Sequence, residues 1–111
     1  MDRPVISEAA RSEYGRIAAA VATHHEVTSG QMMGMPMLYS GGKAFAGLFG
    51  DAMVFKLAGA AHEAALARPG ASLFDPSGRG RPMKAWVRIP IEDAAEWQRL
   101  ADEAIEARLS A

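Results

Sequence analysis

The chain contains no cysteine, and this absence excludes several kinds of site at once. Disulfides, zinc sites built on thiolates, iron–sulfur clusters and cysteine nucleophiles all require the missing thiol. No stretch approaches the ~18 apolar residues that a membrane-spanning helix needs. Residues 1–15 also lack the apolar segment of a secretory signal. We therefore expect a cytoplasmic protein that makes no contact with a membrane.

The sequence also lacks the motifs of the common catalytic and nucleotide-binding sites. It contains no G-x-S-x-G turn, no H-E-x-x-H pair, no Walker loop and no dinucleotide-binding glycine pattern. The glycines at positions 78 and 80 precede Pro82 and a predicted strand, whereas a phosphate-binding loop opens a helix. We therefore expect a protein that is not an enzyme, with no catalytic residue and no cofactor.

What is present indicates one small globular domain. The chain has 111 residues, of which 50% are hydrophobic and 23% are charged. This composition is typical of folded proteins, and the length suits a single domain over residues 1–111. A chain of this size buries somewhat over ~60% of its unfolded surface, so one modest core forms without metal or disulfide.

The first half of the chain predicts a helix followed by an antiparallel meander. Ser7 is a candidate N-cap for a helix that reaches about His24, with apolar residues at helical spacing. Glycine-containing turns at residues 41–42 and 50–51 then separate three apolar runs: Met35 to Ser40, Lys43 to Phe49, and Ala52 to Ala58. The residues before Met35 are a candidate for one more strand.

The second half predicts a short helix from Gly59, a loop, a closing strand and a last helix. The strand covers Met83 to Ile89, and the helix covers Glu92 to Leu109 with an apolar stripe. The predicted fold is α+β in the order α-β-β-β-α-β-α, with an antiparallel sheet packed against the N- and C-terminal helices. Phe55 and Trp97 are both expected to be buried.

Two segments carry a resemblance to a known family. They are GQMMGMPMLYSGGKAFAGLFGDAMVFKL at residues 30–57 and FDPSGRGRPMKAWVRIP at residues 74–90. Together with Trp-x-x-Leu-Ala at residues 97–101, they resemble the N-terminal domain of the TfoX/Sxy family, a relative of the YjbR-like proteins. The likeness extends over about residues 24–109. Met33 is a departure, because phenylalanine is usual at that position of the family's Met-Phe-Gly turn.

The resemblance implies a small regulatory or interaction domain, similar to that of the competence regulators. It supplies no catalytic residue. For such a domain we expect the partner to be another protein or a second copy of this chain.

Two clusters of side chains invite a metal-binding interpretation. Met32, Met33, Met35 and Met37 carry soft thioethers, but they occur where a hydrophobic hairpin is predicted. His24, His25 and His62 lack the i,i+4 spacing of zinc ligands on a helix. We therefore expect no metal site.

Charge is unevenly distributed along a chain whose net charge is −1. Between residues 68 and 88 there are five basic residues and one acid, and the last helix is acidic. The plainer interpretation is that the arginines pair with this helix and that Trp86 packs beneath a helix. The alternative is a weak nucleic-acid-binding or anion-binding surface, with a mobile glycine loop and an exposed tryptophan. The candidate anion or partner surface consists of Arg79, Arg81, Lys84, Trp86 and Arg88.

Overall fold

A computed structural model describes residues 5–110. It contains three α-helices: α1 (Glu8–Ala22), α2 (Gly59–Leu66) and α3 (Trp97–Ser110). It also contains six strands: β1 (Thr28–Met32), β2 (Met35–Ser40), β3 (Lys43–Phe49), β4 (Ala52–Lys56), β5 (Ser72–Phe74) and β6 (Met83–Pro90). The α+β class is confirmed, with two more strands than the predicted order contained.

The strands form one sheet in the order β1-β2-β3-β4-β6-β5, and every neighbouring pair is antiparallel. The predicted turns at residues 41–42 and 50–51 join β2 to β3 and β3 to β4. Gly41, Gly42 and Gly50 all have positive φ, which tight turns between antiparallel strands require. The meander therefore follows from local turn chemistry.

The two additional strands occupy the two edges of the sheet. Strand β1 has the polar sequence TSGQM, so no alternating apolar pattern marks it. It pairs with β2 through a turn in which Met33 takes a φ of 53°, an unusual conformation for a residue with a side chain. Strand β5 has only three residues and lies inside the segment that was predicted to be a loop.

The predicted last helix is divided. Residues Ile91–Glu96 form a 3₁₀ segment, and the regular helix α3 begins only at Trp97. Asp93 has a φ of −113°, outside the helical region, and this interrupts the helix. The predicted first helix begins as expected, because the Ser7 hydroxyl accepts a hydrogen bond from the Ala10 amide.

The helices cover one face of the sheet, and the main core lies between them. Buried residues of all three helices belong to one cluster with Leu38, Phe55 and Val87 of the strands. Phe55 and Trp97 are fully buried in this cluster, as predicted. The Trp97 indole N–H donates to the Ile89 carbonyl at 3.2 Å, which fastens the start of α3 to β6.

The opposite face of the sheet has a second core with no helical member. Its buried residues are Met35, Met37, Val54, Phe74 and Trp86. The rings of Phe49 on β3 and Phe74 on β5 meet edge to face, with centroids 5.0 Å apart. Two strands separate β3 from β5, and neighbouring strands are ~4.8 Å apart. The sheet and its β5 edge must therefore curl over this face.

No helix within residues 5–110 has the length and apolar character needed to cross a membrane.

Candidate functional site

The five residues of the candidate surface have different environments. Arg79, Arg81 and Lys84 are exposed, whereas Arg88 is half-buried and Trp86 is only 6% exposed. The structure therefore retains three of the five predicted residues as an accessible group. Hereafter "basic surface" means Arg79, Arg81 and Lys84.

Trp86 cannot act as an exposed stacking platform, nor does it pack beneath a helix. It lies in the helix-free core with Met37 and Phe74. Alternation along β6 places residues 84, 86 and 88 on the same face, and β5 curls over that face. Both predictions for Trp86 are wrong because the sheet has a core on each face, which a one-layer helix-and-sheet scheme does not anticipate.

The basic loop, residues 78–81, is organised by the carboxylate of Asp75. Oδ1 of Asp75 accepts hydrogen bonds from the Ser77 amide at 3.1 Å, the Ser77 hydroxyl at 2.7 Å and the Gly78 amide at 3.1 Å. Oδ2 accepts from the Gly80 amide at 2.9 Å and the Arg81 amide at 3.1 Å. The backbone N–H groups of this loop thus already enclose an anion, and that anion belongs to the protein.

The glycines of the loop serve this arrangement. Gly78 and Gly80 have φ values of 67° and 77°, a region that other residues rarely adopt. Their positive φ allows the amides of residues 78, 80 and 81 to point at one carboxylate. The two glycines are therefore explained by the backbone conformation that the loop requires, and a mobile loop is not needed to explain them.

The hydrogen bonds lower the pKa of Asp75. The Ser77 hydroxyl contributes most, and the amides of residues 80, 81 and 78 add to it, while partial desolvation acts in the opposite direction. The carboxylate is the form that is bound, so folding favours deprotonation. Its stabilising effect on the loop is fully present above the pKa of the unfolded chain. The effect is lost as the pH falls through the lower pKa of the folded chain.

We expect Asp75 to titrate below the usual aspartate pKa of ~3.9. In a carboxyl-detected NMR titration, the Gly80 and Arg81 amide signals should move with the same midpoint as the Asp75 carboxyl signal. This coupling follows because both amides donate to that carboxylate.

The Asp75→Asn variant is the matched control, since it keeps the shape of the side chain and removes its charge. Its Gly80 and Arg81 amides should exchange faster with solvent, and their signals should lose the acidic titration. A wild-type midpoint at or above the usual aspartate value would contradict the assignment.

The arginines of the basic loop do not pair with the last helix. None of the ion pairs found in residues 5–110 involves a residue of the basic surface. Two acids of the last helix have another partner, since Arg99 lies 2.7 Å from Glu96 and 2.9 Å from Glu103. The predicted pairing with the last helix is therefore wrong for the loop arginines, and two acids of that helix pair locally with Arg99 at i,i+3 and i,i+4 spacing.

Two other arginines of the basic stretch do have acidic partners. Arg68 binds Asp93 with two hydrogen bonds, which joins the segment after α2 to the 3₁₀ segment. This guanidinium lowers the pKa of Asp93. Arg88 lies 3.6 Å from the carboxylate of Asp51 in the β3–β4 turn, so its positive charge is partly neutralised.

The histidines and the methionine cluster lie in different parts of the fold, since Met32, Met35 and Met37 belong to the helix-free core, which contains no histidine. His62 lies on α2, and its Nε2 is 2.8 Å from the Lys84 carbonyl oxygen, so this nitrogen carries the proton. Met35 and Met37 are buried, whereas Met33 is exposed in the β1–β2 turn. Among residues 5–110 there is no group of three or more histidine, aspartate or glutamate side chains arranged to hold a metal ion.

Sequence reasoning missed Asp75, although a local signal was available. An aspartate followed two residues later by serine and then glycine is typical of a turn in which the carboxylate accepts backbone N–H groups. The surrounding cations obscure this signal, because Asp75 is the one acid between residues 68 and 88. Its position before the arginines makes it the organiser of the loop.

The sequence matches the model of a known protein family. Neither a search among curated proteins nor one among solved structures finds a similar protein. The family model of the TfoX N-terminal domain matches residues 19–108, which include strands β1 to β6 and the loop that Asp75 organises. The chain therefore belongs to the TfoX N-terminal domain family.

Proposed function

We propose that this protein is a non-enzymatic interaction domain that binds an acidic segment of a partner protein through Arg79, Arg81 and Lys84. The observation that carries the proposal is a backbone held by Asp75 beside two exposed arginines that have no acidic partner in the described part of the chain. Guanidinium groups bind carboxylates with paired hydrogen bonds. A fixed backbone lowers the entropy lost on binding.

The carboxyl groups with a shifted pKa do not resemble a general acid. Within residues 5–110 they are Glu13, Asp75 and Asp93, and each pKa is lowered by a hydrogen-bond partner. A general acid needs the opposite shift, toward neutral pH. Tyr14 has a raised pKa because it is buried, which keeps its phenol protonated.

An acidic protein fits the surface better than a nucleic acid does. Trp86 is buried, so its ring is not available beside the cations for base stacking. The basic surface has three cations on a chain of net charge −1. Nucleic-acid binders commonly make ~6–10 phosphate contacts. A short acidic peptide needs fewer.

The test compares two defined probes on the same protein: a fluorescent glutamate-rich peptide and a single-stranded oligonucleotide of equal charge. We expect the wild type to bind the peptide at low salt and to release it as salt rises. Replacing Arg79 and Arg81 together by alanine should weaken peptide binding by about tenfold, since two charge-assisted contacts are lost. Both side chains are exposed, so the free energy of unfolding should change by less than ~0.5 kcal/mol.

The matched control replaces Arg11 and Arg16 on α1 by alanine, which removes the same charge from another surface. This variant should bind the peptide as the wild type does. Equal binding by the Arg79/Arg81 variant would contradict the proposal. Tighter binding of the oligonucleotide than of the peptide, lost in the same variant, would assign the surface to nucleic acid instead.

A further inference from the structure

A cavity lies apart from the basic surface, between the C-terminal part of α3 and the adjoining ends of β3 and β4. Its volume is about 240 Å³. Phe45, Leu57 and Ala104 are buried and form apolar lining. Drug-sized ligands occupy pockets of ~300–1,000 Å³, so this cavity suits a smaller molecule.

The charged residues that line the cavity are all basic. Lys43, Lys56 and Arg108 all line it, and none of the lining residues among 5–110 is acidic. In the described part of the chain, neither lysine forms an ion pair. Three cations around one apolar cavity repel each other, and this repulsion favours an anion between them.

Arg108 is held in place by the backbone. Its Nε donates to the Ser40 carbonyl at 3.0 Å, and its Nη2 donates to the Gly41 carbonyl at 3.5 Å. Gly41 permits this approach, since a Cβ at that position would lie 2.6 Å from Nη2. Because a guanidinium has five N–H donors, these two contacts leave others for a ligand.

None of the acids of α3 lines the cavity. Glu103 is the acid one helical turn before Ala107, and it binds Arg99 at 2.9 Å. The helix residues that line the cavity are Ala104, Ala107 and Arg108, which lie on one face of α3. Small alanine side chains leave the space open, and the arginine supplies the charge.

We propose that this cavity binds a small organic anion, a phosphate or carboxylate attached to an apolar group. The cations hold the anionic head, and Phe45, Leu57 and the alanines accept the apolar part. The residues involved are different from those of the basic surface, so this inference does not rest on the proposed function.

The experiment titrates the full chain with phenyl phosphate, inorganic phosphate and phenol, and follows backbone amide shifts by NMR. We expect phenyl phosphate to shift the signals of residues 43–45, 56–58 and 104–108 and to bind more tightly than either other probe. Inorganic phosphate lacks the apolar group, and phenol lacks the charge. Shifts confined to the basic loop, or equal affinity for the three probes, would overturn the proposal.

Two kinds of variant test the site independently. Replacing Lys43 and Lys56 by glutamine should weaken the binding of phenyl phosphate by about tenfold, as expected when two exposed charges are lost. Ala107→Leu keeps every charge and fills the cavity, so it should also abolish the shifts. The Arg79/Arg81 variant should bind phenyl phosphate as the wild type does. Unchanged binding by both cavity variants would show that the anion binds elsewhere.

Discussion

Replacing Trp97 by alanine should lower the free energy of unfolding by ~3–5 kcal/mol. The indole is fully buried beneath α3, and its N–H bonds the Ile89 carbonyl at 3.2 Å. The substitution removes the largest buried side chain of the core and leaves that carbonyl without its partner. Domains of this size are stable by ~5–15 kcal/mol, so the variant should be close to unfolding. Urea denaturation followed by circular dichroism measures the change.

Two further variants separate the causes of that loss. Trp97→Phe keeps most of the ring volume but cannot donate the hydrogen bond, so an intermediate loss of ~1–3 kcal/mol is expected. Leu109→Ala lies on the same helix, but its side chain is 57% exposed. It should change stability by no more than ~0.5 kcal/mol. A Trp97→Ala loss as small as that of Leu109→Ala would contradict the position of α3.

Replacing Phe74 by alanine should cost ~3–5 kcal/mol, although no helix covers this ring. Phe74 is only 1% exposed and contacts the Phe49 ring edge to face. It is the last residue of β5 and immediately precedes Asp75, so it anchors the start of the basic loop. We therefore expect two results from one variant: a lower midpoint in urea, and faster hydrogen exchange at the Gly80 and Arg81 amides.

Phe74→Leu is the matched control for the ring contact. It keeps an apolar side chain in the helix-free core and loses only the aromatic pair and some volume. Its loss should be about 1 kcal/mol, and its loop amides should remain protected. If Phe74→Ala were no more destabilising than Phe74→Leu, the ring would not be part of a packed core.

The two core predictions also bear on the proposals. The basic surface depends on Asp75, which follows β5 directly. Phe74→Ala should therefore weaken the binding of the acidic peptide as well. The cavity lies on the side of the sheet covered by α3, and it includes no residue of the loop. Binding of phenyl phosphate should therefore survive in Phe74→Leu and in the Arg79/Arg81 variant.

Much of the fold was readable from local sequence, because the forces that set it act over a few residues. The bounds of β2 and β3 match the predicted apolar runs, since glycine-containing turns at residues 41–42 and 50–51 follow the two strands. The Ser7 cap set the start of α1. Strand β1 was only a candidate because it has no apolar alternation, and β5 was missed because it is three residues long.

The site was less predictable, because its chemistry depends on contacts between distant parts of the chain. Local sequence determined that residues 79–84 are basic and that the loop needs glycine. Only the tertiary structure decided that Trp86 is buried, since this depends on β5 curling across the helix-free face.

The cavity shows the same division most clearly. The sequence contains Lys43, Lys56 and Arg108 as three separate cations, and nothing in their spacing relates them. The antiparallel pairing of β3 and β4 and the packing of α3 against both strands bring them around one apolar space. Local patterns thus determined the strands, turns and helices of this protein. Its binding surfaces were decided by tertiary packing, because side-chain charges separated along the chain act together only when the fold places them within range of one ligand.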